Sequence, residues 1–391
     1  MPALRVFAVL AVTQLVSWGA VGLLPVLASG IAEALELPLA TVFFGATAMF
    51  VAMGVTASLA GRAFQRFGAR RVMAAGAVQT AAGLALLALA MTGPVYFAAW
   101  IVIGIAGAML LTTAAYIYLS DHAGDRARGM IGMLMLATAL AGSLFWPVTA
   151  FLDHLLGWRA TTFAFAVLML VLVAPLILIG LPEARRQRVS AETFPRADIR
   201  RTATFRLIVT VVALNSFVTF GFEAIGIELF QALGTGTAGA VAAASLLGLF
   251  KVGGRLVDLA GGRRWDAMTT ALIAGAMMPL GLASLWLGGA AWGALAALLI
   301  LFGIGSGAFA VARATMPLVF YRKDDYAAAM SAIALPLNLA SAAAPPALAA
   351  LLTRAGPAAV LAGLAGLAAA AFLLLLRLDG IRRRDAAEHP A

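Results

Sequence analysis

From Val6 to Leu27 the chain carries no charged residue, and apolar runs of this kind recur to its far end, separated by short patches of charge. A run of about 20 apolar residues matches the ~30 Å hydrocarbon core of a bilayer at about 1.5 Å per residue. A backbone crossing that core must satisfy its own hydrogen bonds, which leaves helices as the natural solution. The runs fall near residues 5–30, 40–60, 72–91, 94–119, 129–152, 159–181, 207–230, 237–257, 266–288, 291–320, 327–352 and 357–377. They predict an all-α integral membrane protein with twelve transmembrane spans. The first run exceeds the roughly 7–15 apolar residues of a secretory signal, so it reads as a retained first helix and not a cleaved leader.

Composition excludes the soluble alternatives. Of 391 residues 63% are hydrophobic and 11% charged, against roughly 45–50% and 25% in soluble domains. The net charge of +10 would suggest nucleic acid in a soluble protein, but here the basic residues sit in short loops between apolar runs, and no nucleic-acid partner is expected. There is no cysteine, and His122, His154 and His389 fall in loops or the tail, so no metal site and no cofactor are expected. No P-loop and no constellation of His, Ser or paired carboxylates points to a pump or a membrane enzyme.

The arginines set the predicted orientation. Arg62, Arg66, Arg70 and Arg71 follow span 2, Arg126 and Arg128 follow span 4, Arg255, Arg263 and Arg264 follow span 8, and Arg322 and Lys323 follow span 10. Loops after odd spans hold only Arg159 and Arg354. Basic residues are retained on the cytoplasmic side of short loops, which places both termini inside and the protein in the cell's inner (plasma) membrane. Residues 182–205, with Arg185, Arg186, Arg188, Arg196, Arg200 and Arg201, read as a basic cytoplasmic linker between bundles 1–181 and 206–391. Such a tract suits anionic inner-leaflet lipids.

The two bundles repeat. GRAFQRFGARR from Gly61 and GRLVDLAGGRR from Gly254 align at an offset of 193, pairing Gly68 with Gly261, Arg70 with Arg263 and Arg71 with Arg264. Later segments align at 199, pairing Gly104 with Gly303 and Pro147 with Pro346. At these residues the chain resembles the major facilitator superfamily, whose turn between helices 2 and 3 reads G-x-x-x-D-R/K-x-G-R/K-R/K. Gly61, Arg66, Gly68, Arg70 and Arg71 match in the first copy, with Gln65 in place of the acid; Gly254 and Asp258 match in the second, with Leu259 at the basic position. The resemblance implies two six-helix bundles related by a pseudo-twofold axis along the membrane normal, a turn that packs helices and gates the cytoplasmic side, and alternating access to a solute held between the halves. Arg126 to Arg128, Gly142-Ser143, Pro147 and Gly157-Trp158-Arg159 resemble the monocarboxylate-transporter-like branch. The stretch Ala139 to Val148 lacks the G-x-x-x-G-P-x-x-G-G pattern of drug and proton antiporters.

In that family helices 1, 4, 7 and 10 line the cavity, which here brings in Gln14 and Trp18, Thr113 and Tyr116, Asn215 and Glu223, and Arg313. Asn338 in span 11 is a further cavity candidate, although isolated amides and hydroxyls, such as this one and Gln79 in span 3, serve more often as interhelical glue than as ligand contacts. An ionisable group at bilayer depth needs a partner or a wet cavity. Glu223 lies sixteen residues into span 7, about 24 Å from its start, and is the expected proton-coupling group, whereas Glu228 reaches the outer interface. Arg313 lies about 12 Å from the inner end of span 10, a long reach for snorkelling, and is expected to face the cavity; Lys251, seven residues before Asp258, can add a second charge or snorkel. The expected function is secondary transport, by a monomer, of a small organic anion such as a monocarboxylate, with protons as a coupling ion. The alternatives are proton-driven efflux of hydrophobic compounds and, from another class, a non-transporting receptor or scaffold.

Overall fold

The computed structural model describes residues 2–123, 127–183, 202–261, 266–321 and 323–388. Most of the basic linker and Arg263 lie outside them, and for Gln65, Asp258 and Gly261 only the backbone is described. The chain separates into two compact units, Met1–Val189 and Ser190–Ala391.

Every element in the described residues is helical. The first unit comprises α1 (Pro2–Val21), α2 (Leu24–Ala34), α3 (Leu39–Phe67), α4 (Ala69–Ala88), α5 (Gly93–Leu110), α6 (Thr112–Ala123), α7 (Ala127–Ala139), α8 (Ala141–Leu168), a π-helical turn Met169–Val173 and α9 (Ala174–Gly180). The second comprises α10 (Ala203–Ala232), α11 (Thr237–Gly261), α12 (Ala267–Gly288), α13 (Trp292–Leu298), a π-helical turn Leu299–Gly303, α14 (Ile304–Thr315), α15 (Pro317–Phe320) and α16 (Lys323–Glu388). Two N-termini are capped from the side chain: Thr202 accepts from the Phe205 amide at 3.1 Å and Asp266 from the Thr269 amide at 2.7 Å.

Ten described segments are long and apolar enough to cross a membrane. Two of them, Met130–Gly180 and Leu335–Arg384, run to 51 and 50 residues, more than twice what a bilayer requires. Each spans a glycine in the left-handed region, Gly157 with φ 77° and Gly356 with φ 78°. A residue without Cβ turns the chain there at little steric expense, so each long segment is two crossings and the total is twelve. The two glycines stand 199 positions apart, the offset at which the later parts of the repeat align.

The surface is apolar where a soluble protein's would be polar. Val55 (72% exposed), Val171 (67%) and Ile179 (77%) have no protein to bury them, as lipid-facing side chains should. Helices close on one another through glycine. A Cβ on Gly104 of α5 would collide with the Met49 carbonyl oxygen of α3, and one on Gly254 of α11 with the Ile304 carbonyl oxygen of α14. Gly61 differs from the expectation drawn from its alignment with Gly254. It lies inside α3 with nothing within 4 Å of a built Cβ, and the turn comes at Gly68, φ 83°.

The ends of each unit are tied by ion pairs. In the first unit Arg70 and Arg71, at the start of α4, hold Glu183 at 2.7 and 3.2 Å, while Tyr118 donates to the Pro182 carbonyl at 2.8 Å. In the second, Arg382 near the end of α16 pairs with Asp266, at the start of α12, and with Asp379 at 2.8 Å. Burial pushes the Asp266 carboxyl up, but hydrogen bonds from Thr269 and the charge of Arg382 outweigh it and hold the group below its ordinary value. Arg159, one of the two arginines after an odd span, caps the end of α4 through the carbonyls of Ala88 (3.0 Å) and Ala90 (2.6 Å) and lies 4.2 Å over the Trp158 ring.

Candidate functional site

The polar residues picked out of the sequence gather in two places, one in each unit. In the first unit span 4 is interrupted: α5 stops at Leu110, Leu111 is extended with ψ −164°, and α6 starts at Thr112. The interruption frees backbone groups that helix 1 satisfies. Gln14, fully buried, donates its amide to the Leu110 carbonyl at 2.7 Å, and the Trp18 indole donates to the Thr112 hydroxyl at 2.9 Å. Gln14 thus ties helix 1 to the helix break through its amide nitrogen while its buried Oε1 has no hydrogen-bond partner, and Trp18 lies half-buried beside it. Thr113, on the same break, is exposed, and Tyr116 one turn on is half-buried.

In the second unit the polar positions divide between packing and charge. Asn215 is buried, its amide donating to the Met278 sulfur of α12 at 3.1 Å and its oxygen accepting from Thr219 at 3.4 Å. It joins α10 to α12. Asn338 is exposed on α16. Glu223 of α10 and Lys251 of α11 form an ion pair between neighbouring helices, their side chains 26% and 15% exposed. The pair answers the question that a membrane-depth charge poses, since each group supplies the other's partner.

Arg313 has no such answer. Its half-buried guanidinium on α14 has no carboxylate within ion-pairing distance among the described side chains. The sequence counted Arg255 with the basic residues that follow span 8, although it falls within 237–257; α11 continues to Gly261 and carries Arg255 one turn beyond Lys251, on the same face. Spacing of four between two cations was the signal that could have found it.

Glycine brings these charges together. Gly254, Gly303 and Gly307 form the contact between α11 and α14, where a Cβ on Gly307 would collide with the Lys251 carbonyl oxygen and one on Gly303 would lie 2.5 Å from Phe250 Cβ. The π-helical turn directly before α14 places buried Phe302 against Phe222, ring centroids 4.8 Å apart, next to Glu223 in sequence. Among the described residues no three His, Asp or Glu side chains converge as metal ligands would.

Comparison with known proteins follows the same lines. A family model described as Major Facilitator Superfamily matches residues 9–286. No curated protein sequence matches the chain. Among solved structures the chain is similar to the nucleoside transporter NupG (TM-score 0.77, 14% identity, 97% of this chain and 100% of that one) and to the human organic anion transporter MFSD10 (0.67, 17%, 96% and 100%). It is also similar to a D-xylose-proton symporter (0.74, 16%, 96% and 97%). At such identities the likeness is one of fold.

Proposed function

This chain belongs to the Major Facilitator Superfamily and is a multi-pass secondary transporter of small solutes, and we propose that its solute is a small organic anion held by Arg313. The observation that carries this reading is the contrast between two charges in one unit. Lys251 has Glu223, while Arg313, half-buried on α14, has no carboxylate within ion-pairing distance among the described side chains. A guanidinium stays charged at any working pH and grips a carboxylate through two parallel hydrogen bonds. The solute's carboxylate would be the missing partner.

Glu223 is the group placed to couple protons to that anion. It is the only carboxylate of the cluster whose side chain is described, and gain of a proton there would release Lys251. The remaining features of the reading are those of the sequence: a monomer in the inner membrane, with the basic end facing the cytoplasm and its anionic lipids.

The test is solute binding and counterflow in proteoliposomes. Arg313→Gln is expected to weaken carboxylate binding by about tenfold or more and Arg313→Lys by less, since lysine keeps the charge and loses the fork. Glu223→Gln is expected to abolish uphill transport while exchange persists. Unchanged affinity in Arg313→Gln, or a screen that yields only neutral or cationic ligands, would remove the anion and favour efflux of hydrophobic compounds.

A further inference from the structure

The glycine contact between α11 and α14 also fixes the heights of the charges. Gly303 meets Leu247 and Phe250, Gly307 meets Lys251, and Gly254 meets Ile304 and Ala308, so the two helices run in the same direction with Lys251 level with Gly307. Arg255 is four residues beyond Lys251, about 6 Å along the axis, and Arg313 is six residues beyond Gly307, about 9 Å. The cations therefore stand on two levels, the two arginines on one and Lys251 with Glu223 on the other. Helical side chains lean toward the N-terminus of their helix, and on two helices that run in the same direction this shifts both cationic heads the same way and keeps the levels apart.

We infer that this site takes a short-chain dicarboxylate, one carboxylate on Arg313 and the other on Lys251. The inference rests on the anion reading above and narrows it. A monocarboxylate reaches one level only. A molecule with two carboxylates a few ångströms apart spans both, and the Lys251 ammonium, with three donors, can serve it as well as Glu223. A single compact dianion such as phosphate fits the arginine level alone and leaves Lys251 unused. Because a Cβ on Gly307 would strike the Lys251 backbone, the helix contact sets the heights from which the two side chains start.

The experiment compares succinate, butyrate and inorganic phosphate by calorimetry on the purified full-length protein in detergent. The wild type is expected to bind succinate about tenfold or more tighter than butyrate, and tighter than phosphate. Removing the second level without orphaning a carboxylate, by the double substitution Lys251→Met with Glu223→Gln, is expected to bring the succinate-to-butyrate ratio close to one. Lys251→Arg in the wild-type background keeps a cation at that level and should retain a preference for succinate, which guards against a double variant that fails to fold. Equal affinities in the wild type, phosphate as the tightest ligand, or a ratio untouched by the double substitution would each overturn the dicarboxylate assignment while leaving the anion reading standing. Failure of all three ligands to bind would overturn both.

Discussion

Glu223 and Lys251 show how a charge becomes admissible at membrane depth. Each was visible in the sequence as an ionisable residue inside an apolar run, but their pairing was not, because it depends on the rotation of two helices about their axes. Removing one partner of a buried pair leaves the other uncompensated, at about 3–5 kcal/mol when burial is complete. Here both groups retain some exposure, so the loss should fall below that range. Lys251→Met and Glu223→Gln are each expected to lower the unfolding temperature in detergent, Lys251→Met the more, because methionine leaves the carboxylate no donor whereas the glutamine oxygen still accepts a hydrogen bond from the ammonium. The double variant should be more stable than the sum of the single losses predicts. Additive losses would mean that the two side chains do not act as a pair. At the same scale, an amide in a cavity-lining helix is identical in sequence whether it faces a solute, a freed carbonyl or a neighbouring sulfur; here the Leu110 carbonyl and the Met278 sulfur each take one amide nitrogen, while the Gln14 Oε1 has no hydrogen-bond partner.

Among the elements, the contact between α11 and α14 separates what alignment can show from what it cannot. Gly61 and Gly254 occupy the same place in the repeated motif, yet only Gly254 lies against another backbone. The sequence carries the repeat because turns and helix ends are local, but the closeness of a helix pair is set by both partners, and the partner of Gly254, at Ile304, sits in another span. Gly254→Ala is expected to destabilise the protein by about 1–3 kcal/mol, the usual effect of forcing a methyl group into a filled space, and to weaken anion binding by shifting Lys251 and Arg255. Gly61→Ala, inside a helix with open space around it, is expected to be neutral or to stabilise by up to about 1 kcal/mol. Thermal unfolding of the two variants side by side checks this, and equal losses would show that the seam is not where the helices meet. Twelve spans were legible from hydropathy, but the break of span 4 at Leu111 was not. An apolar run looks the same whether its backbone bends, stops or continues.

At the scale of the molecule the repeat extends to the ties at the ends of each unit, with the charges exchanged. Glu183 and Arg382 are 199 positions apart, the offset of Gly157 and Gly356, and each binds the start of the third crossing in its own unit, Glu183 through Arg70 and Arg71, Arg382 through Asp266. Glu183 thus supplies the acid that Gln65 withholds from the first motif. Both ties lie at the ends that carry the basic turns, and on these ends rests the last expectation, that they face the cytoplasm. Retention follows Lys and Arg in short loops and is little affected by Asp or Glu, so the ion pairs of Arg70 and Arg71 do not weaken the bias. Of the two arginines on the opposite side, Arg159 is engaged by the carbonyls that end α4 and by Trp158, a structural duty that accounts for its place, which leaves Arg354 alone against the rule. An even number of crossings returns the chain to the side on which it started. Reporter fusions at Ala191 and Ala387 should therefore both give the cytoplasmic signal, and a fusion at Thr235, between α10 and α11, the opposite one. Opposite signals at Ala191 and Ala387 would mean an odd number of crossings between them and would undo the division of α16 at Gly356; a cytoplasmic signal at Thr235 with the other two outside would keep the twelve spans and invert them.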